Sequence, residues 1–422
     1  MKIFVQITSY RDPELKPTII DCIKKAKSPN NLSFGICWQH DETEDMKEFS
    51  INPKFRIIEV DWKQSKGMGW AKYQTQKLYE GEEFTLQIDS HHRFEKNWDE
   101  LLINMLEATG EEKPVLSSFA GAYRASNNEK LNLEPYRMRV GGFDEGELPI
   151  VRPDLILGWE KLEKPVSASF VCSHFMFTRG SFCEEYKYDP ELYFEGVDAS
   201  LSARCFTMGY KLLHPNKTIV WHEYTRDQRK KHWLDHTEEL KEKGLIELAW
   251  WERDEISKKR IKQLLGITDS GVDLGEFGLG EKKTLMDYQI YSGVDFSQKV
   301  LHPETAKGSP PFEGSITVEE WKKQVEGQEK PEELTEYSLE ISWSKEEIEY
   351  ADDYSFWYFG FHDAEGKEIY RQDFTETKDK DILLFKQLKK EVTVKLKNEP
   401  KSCTIWPHSK SKGWLARLET KL

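Results

Sequence analysis

Up to residue 109, apolar runs of strand length alternate with segments of helical spacing, and this alternation constrains the fold more than any other feature. Residues 2–8, 32–39, 56–60 and 84–88 read as strands, and 17–27, 69–79 and 97–109 as helices. In the first of these helices Thr18, Ile19, Cys22, Ile23 and Ala26 fall on one side. A strand–helix–strand rhythm needs crossover connections, so it predicts a mostly parallel sheet with helices on both faces. Such sheets take their ligands at the carboxyl ends of the strands. Two polar segments occupy such ends, Ser9–Tyr10–Arg11–Asp12 and Asp89–Ser90–His91.

The second segment carries the chemistry. Alternate residues at a strand end project the same way, so Asp89 and His91 can reach one object together. A carboxylate oxygen and an imidazole nitrogen suit a divalent ion of the manganese or zinc type. A lone DSH tripeptide also fits a polar turn with a solvated histidine pair, so the rest of the chain decides. His222 ends another short strand, 218–221, on the same rim, and would complete one face of a hexacoordinate ion. Diphosphate oxygens and water would fill the remaining positions.

Two further groups could serve a nucleotide ligand, and a third the acceptor hydroxyl. Tyr10 can stack on a base, and Asp12 can accept an imide or ribose hydrogen bond. In Lys66–Gly67–Met68–Gly69–Trp70–Ala71–Lys72 two glycines at a helix start expose backbone N–H groups, and two lysines add positive potential. Asp198 opens a helix read over 198–210, with Glu195 just before it and Arg204 placed to brace a carboxylate facing the cleft. His174, in a strand read over 167–178, is a candidate for the acceptor side, although a core histidine is its ordinary reading.

Taken together these segments resemble the GT-A glycosyltransferase family that includes the cytoplasmic hydroxyproline N-acetylglucosaminyltransferase and its bacterial relatives. The resemblance runs from residue 1 to about 296. It is carried by ITSYRDPEL, KGMGWAK, LQIDSHHRFEKNWD, EGVDASLSARCFTMGY, HEYTR with the following KKHW, and GLGEKKTLMDYQIYSGVDF. It implies a GT-A type, Rossmann-like nucleotide-sugar domain. In that domain Asp89, His91 and His222 bind Mn2+ or another divalent cation. It also implies a UDP-sugar, UDP-GlcNAc or a relative, held by Thr8, Ser9, Tyr10, Arg11 and Asp12, by Lys66, Gly69, Trp70 and Lys72, and by Asp89 and Ser90. Where the family has paired glutamates after the glycine, this chain has Val197–Asp198. Asp198 is therefore the expected catalytic carboxylate, with Glu195 as a substitute. The resemblance further implies transfer with retention to a hydroxyl of a protein or glycan acceptor.

The remaining sequence bounds the alternatives. A net charge of -14 argues against nucleic-acid or anionic-lipid binding, so a polyanionic ligand needs a local positive site. No apolar run is long enough to span a membrane. The six cysteines are widely spaced with no CxxC pair, and MKIFVQITSY enters directly into a strand pattern, so a cytoplasmic protein is expected. Residues 126–163 read as a long Gly- and Pro-rich loop, and 240–265 as one charged helix. Residues 1–300 are expected to form the catalytic domain, with a helical and Gly-rich extension over 235–300. Residues 301–335 read as linker. From 336 to 422 the pattern changes to alternation and a hairpin turn at Asp363–Gly366, as in a small antiparallel β-sandwich. Two other functions compete. A zinc hydrolase could use the same ligands, though no HExxH signature is present. An inactive carbohydrate-binding protein could use Trp343, Trp357, Tyr358, Trp406 and Trp414, which would fit a sandwich core as well.

Overall fold

The computed structural model describes residues 1–43, 45–144, 146–225, 229–314, 316–326, 335–375, 388–396 and 398–422. They divide into two compact units, Met1–Lys330 and Pro331–Leu422. Strands of the first unit are β1 (Ile3–Tyr10), β2 (Leu32–His40), β3 (Phe55–Asp61), β4 (Phe84–Asp89), β5 (His92–Phe94), β6 (Pro114–Ser117) and β7 (Gly121–Arg124). They continue with β8 (Glu129–Lys130), β9 (Tyr136–Phe143), β10 (Pro149–Leu155), β11 (Val166–Ser167), β12 (Phe175–Arg179), β13 (Lys211–His214) and β14 (Val220–His222). Two short strands, β15 (Val294–Asp295) and β16 (Val300–Leu301), pair near its end.

The main sheet has eight strands in the order β11-β13-β6-β12-β4-β1-β2-β3. β1, β2, β3 and β4 are parallel, as are β6 and β13, while β12 runs antiparallel between β4 and β6. This mixed α/β arrangement, mostly parallel, is what the strand–helix rhythm predicts. β1 and β4 are apolar almost without alternation because both of their faces are covered. A second sheet, β5-β14-β7-β8, stands at the carboxyl end of β4 and turns the chain after Asp89 back across the rim. The helix Leu15–Lys25 is tied to that turn through Thr18. Its hydroxyl donates to the Ser90 carbonyl (2.8 Å) and accepts from the His92 amide (2.9 Å).

Three sequence expectations are corrected here. Residues 126–163 contain the antiparallel hairpin β9–β10, in which Met138 and Val140 are buried while Arg137, Arg139 and Arg152 share the other face. Glycines and charges had hidden that period of two. The charged stretch 240–265 is broken: helices span Glu238–Glu242 and Trp250–Leu264, with Gly244 between them in the left-handed region. Residues 301–314 and 316–326 group with the first unit, where a linker over 301–335 was expected. They carry the helices Pro303–Ala306 and Val318–Glu326, and Trp321 is fully buried beside the His302 ring. Two apolar anchors, Phe312 and Trp321, fix a segment whose average composition looks extended.

The described residues of the second unit form strands and turns. β17 (Thr335–Ser342) pairs with β20 (Lys389–Leu396), and β19 (Glu368–Thr375), β18 (Tyr354–His362), β21 (Ser402–Ser409), β22 (Gly413–Trp414) and β23 (Leu418–Lys421) form an antiparallel sheet. Its aromatics divide between two environments. Trp343 and Trp357 are core residues, whereas Tyr358, Trp406 and Trp414 pack together on the other face. Among the described residues no helix is long and apolar enough to cross a membrane. All six cysteines are buried and unbridged.

His214, the last residue of β13, fastens the hairpin to the sheet: Nδ1 donates to the Ser117 carbonyl (2.7 Å) and Nε2 accepts from the Met138 amide (3.0 Å). Burial pushes its imidazole down to about 4, so it is neutral in the folded protein. The unfolded chain, titrating near 6.5, then binds the extra proton between those values, and stability falls as pH drops. This residue should cost about 2 kcal/mol at pH 5 relative to neutral pH. Denaturant titrations at the two pH values should show that loss, and His214→Gln should reduce it.

Candidate active site

β1 and β4 lie side by side in parallel, with Thr8 opposite Asp89, so the residues that follow each strand face one cleft. Beyond β1 the chain turns through Arg11, whose φ is +45°, and brings Asp12 back beneath His91. The buried Asp12 carboxylate accepts from the Ser90 hydroxyl at 2.7 Å and from His91 Nδ1 at 2.6 Å. That bond fixes the tautomer: with its proton on Nδ1, His91 presents the Nε2 lone pair outward. β14 pairs antiparallel with β5, placing His222 opposite His92, and so delivers a second imidazole to the same point. His91 Nε2 and His222 Nε2 are 3.0 Å apart, and Asp89 Oδ2 lies 3.9 and 3.7 Å from them.

These three side chains form a candidate metal site, and the spacing fits an ion. Two nitrogens bound at ~2.1 Å and at right angles are ~3.0 Å apart, and two such bonds span at most ~4.2 Å. The charge state fits as well. Burial, with help from His91, pushes the His222 imidazole well below its usual range, so it is a neutral ligand at pH 7. Burial alone would raise the Asp89 carboxyl, but Lys72, His222 and His91 hold it well below the usual carboxylate range. Asp12 behaves likewise: its hydrogen bond from His91 overcomes the cost of burial. A carboxylate behind a ligating imidazole is the usual second layer of a metal site.

The cleft over these residues has a volume of about 160 Å³. Thr8, Tyr10 and Gln39 line one side, and Arg229, Lys230 and Lys231 bring positive charge to the other. Arg229 Nη1 lies over the His91 ring, 2.5 Å from Nε2 and 2.7 Å from Nδ1, and 3.8 Å from Asp12, while Nη2 donates to the Glu223 carbonyl, so the guanidinium has to move aside for a cation to reach Nε2. His232 Nδ1 and the Tyr193 hydroxyl are hydrogen-bonded at 2.7 Å, and the His232 ring packs on Tyr10 at 5.0 Å.

The structure brings Thr8, Tyr10, Asp12, Asp89, Ser90, His91 and His222 to this cleft, and spreads the other expected residues around it. Ser9 is buried behind the wall, its carbonyl held by Gln39. Arg11 is clamped by Asp41 (2.6 Å) and Asp235 (2.7 Å) over the Trp62 ring. Lys66 pairs with Glu247 at 2.9 Å. Gly67, at φ +102°, caps the helix Met68–Gln76. A Cβ on Gly69 would meet the Leu192 carbonyl at 2.5 Å, so that glycine serves packing. Trp70 packs with Cys37, Val60 and Ala71. Lys72 is buried behind Asp89, 3.6 Å from Oδ1, and donates to the Ser173 carbonyl at 2.8 Å.

Ser173 links the two halves of the site. Its carbonyl also accepts from Gln87, and its amide donates to Asp198 Oδ1 at 2.8 Å. Asp198 thus sits one residue removed from Lys72 and Asp89, with burial raising its carboxyl. Glu195 is at the surface, paired with Lys258. His174 lies at the cleft edge, 4.6 Å from the His222 ring and 2.8 Å from the Cys172 sulfur. Of the HEYTR segment, Arg226 lies outside the described residues. Sequence reasoning did not single out Arg229, Gln39 or Ser173, because each is an ordinary loop or strand-end residue until the chain brings it round. The one visible signal for Arg229 was its place between two expected segments, HEYTR and KKHW.

A family model described as Glycosyltransferase (GlcNAc) matches residues 2–52 and 44–298, well over half of the sequence. The chain belongs to that family. In this Glycosyltransferase (GlcNAc) member the match ends close to β16 and leaves the second unit outside. No curated protein matches the chain by sequence. Among solved structures it is similar to GalNAc-T7, crystallised with UDP, GalNAc and Mn2+, at 14% identity and a TM-score of 0.47. That match covers 68% of this chain and 55% of the other, so the chain spans about half the length of the protein it matches.

If Asp12 orients His91 for a metal, Asp12→Asn should weaken Mn2+ binding about 10- to 100-fold, and His222→Ala should weaken it at least as much. Calorimetric titration of Mn2+ into the full chain measures both, and circular dichroism checks that the fold is retained.

Proposed function

We propose that this glycosyltransferase is metal-dependent and transfers N-acetylglucosamine from UDP-GlcNAc to a hydroxyl of a protein or glycan, with retention at the anomeric carbon. The observation that carries this reading is the convergence of Asp89, His91 and His222 on one point at the carboxyl ends of the parallel strands. Donor sugar and retention rest on the family resemblance.

Asp89, His91 and His222 would hold the divalent cation. When bound, that cation supplies Lewis-acid stabilisation of the negative charge that builds on the departing diphosphate. Asp12 keeps His91 in its ligating tautomer. Lys72 balances the Asp89 carboxylate from behind, which keeps that oxygen ionised in a buried setting. Lys230 and Lys231 add positive charge to the cleft lining beside Arg229, whose guanidinium is paired with Asp12 and Glu223, as a diphosphate requires in a chain of net charge -14. Tyr10 offers its ring to the base. Asp198, rather than the exposed Glu195, takes the carboxylate role, acting through the Ser173 amide to set the strand end on which the reacting groups meet.

A screen of UDP-sugars with Mn2+, reading UDP release with and without acceptor, tests the proposal. UDP-GlcNAc should give the highest rate, and Asp89→Ala should lower it about 100-fold or more. Turnover undiminished in excess chelator would overturn the metal dependence.

A further inference from the structure

The five-stranded sheet of the second unit buries aromatic rings on one face and carries more of them on the other. Along β18, Trp357, Phe359 and Phe361 enter the core, in one cluster with Ile341, Val392 and Val394 of β17 and β20. Alternate residues point the other way. The register sets Phe356 opposite His408 and Tyr358 opposite Trp406, and β22 adds Trp414 beside His408. Five rings from three strands thus meet outside the core.

Trp414 is the centre of this patch. Its ring lies 4.4 Å from that of Trp406, and it stands nearly perpendicular to the rings of His408, Phe356 and Tyr358, at 5.1, 5.3 and 6.3 Å. It is nevertheless 45% exposed, whereas the core residues Trp343 and Trp357 are covered. Its neighbours are fixed in turn. Trp406 Nε1 donates to the Leu415 carbonyl at 2.8 Å, and the Tyr358 hydroxyl donates to the Glu368 carboxylate. Tyr358 lies along the sheet because Gly360 makes room for it: a Cβ there would come within 2.7 Å of the tyrosine ring. An exposed ring held by rigid neighbours loses little freedom when it binds a ligand.

The polar groups at the edge define what such a surface takes. Arg371 and Asp373 stand opposite Gly360 and Tyr358 in the β18–β19 register, with the guanidinium 4.9 Å from the centre of the Tyr358 ring. They form a bidentate pair, Nε to Oδ1 at 2.9 Å and Nη2 to Oδ2 at 2.8 Å. Their charges offset one another, so an ionic ligand gains little, while the pair keeps N–H donors and carboxylate lone pairs for hydroxyl groups. Aromatic faces beside such a pair match a neutral sugar chain, whose C–H bonds stack on rings and whose hydroxyls reach the edge. β19 and β22 are three strand spacings apart, about 14 Å, so the matching ligand is an oligosaccharide rather than a single sugar.

We propose that this face of the second unit binds a neutral β-1,4-linked oligosaccharide, stacked on Trp414 and bonded through its hydroxyls at Arg371 and Asp373. Equatorial linkages make such a chain a flat ribbon with axial C–H bonds on both sides, and a sheet face on which Tyr358 lies down is flat as well. The site is separate from the transferase reading and assigns no acceptor.

Calorimetric titration of the full chain, without donor or metal, tests this. The probes are cellohexaose and N-acetylchitohexaose, with maltohexaose as a coiled, α-linked chain. At least one of the two β-linked chains should bind, and maltohexaose should bind about tenfold more weakly or not at all. Trp414→Ala and Arg371→Ala should each weaken binding about tenfold, while Trp251→Ala, which removes an exposed ring of the first unit, should leave it unchanged. Circular dichroism checks that the variants fold. Absence of binding by both β-linked chains, or binding unchanged in both Trp414→Ala and Arg371→Ala, overturns the site. Equal binding of maltohexaose overturns the assignment to a flat chain. Sedimentation velocity without sugar covers the other occupant, a second copy of this chain: a dimer that Trp414→Ala dissociates overturns glycan binding at this face.

Discussion

The hydrogen bond between Asp12 and His91 is the interaction on which the site depends. It joins the loop after β1 to the turn after β4 through two side chains that are almost wholly buried. Losing one partner would leave an uncompensated polar group, which costs more than the bond itself contributes. The bond therefore holds two strand ends in register, and the same bond aims Nε2 of His91 at His222. Structure and chemistry use a single contact.

Charge is distributed around that contact in layers. Asp89 is ionised because the buried Lys72 stands behind it, and Lys72 is tolerated because Asp89 and the Ser173 carbonyl receive it. Burial keeps His222 neutral. At the cleft, Lys230 and Lys231 join the largely buried Arg229 and set basic residues against the acidic character of the chain over one small area. A protein of this net charge would repel a diphosphate in general, and it concentrates positive charge where the strand ends open.

The strand–helix rhythm was legible in the sequence because strands buried on both faces leave runs of apolar residues, as in β1 and β4. The three residues of the candidate metal site stood out for a local reason: Asp89 and His91 sit at alternate positions of one strand end, and His222 ends another. What sequence spacing could not carry was the second layer. Asp12 looked like a ligand for a base or ribose, and its use as the partner of His91 depends on the turn at Arg11. Glu195 and Lys66 are charged neighbours of expected motifs, yet each finds an opposite charge at the surface, on Lys258 and Glu247. The segment after residue 300 misled by composition, since one tryptophan and one phenylalanine outweigh its prolines and glycines.

The central claim is that Asp89, His91 and His222 bind one divalent ion in the mouth of the donor cleft. The most direct measurement is an anomalous difference map from crystals grown with Mn2+ and UDP. The account predicts one strong peak bonded to Asp89 Oδ2 and to Nε2 of His91 and His222, with diphosphate oxygens completing its shell. A well-ordered UDP in the cleft with no anomalous peak among these three residues would contradict it.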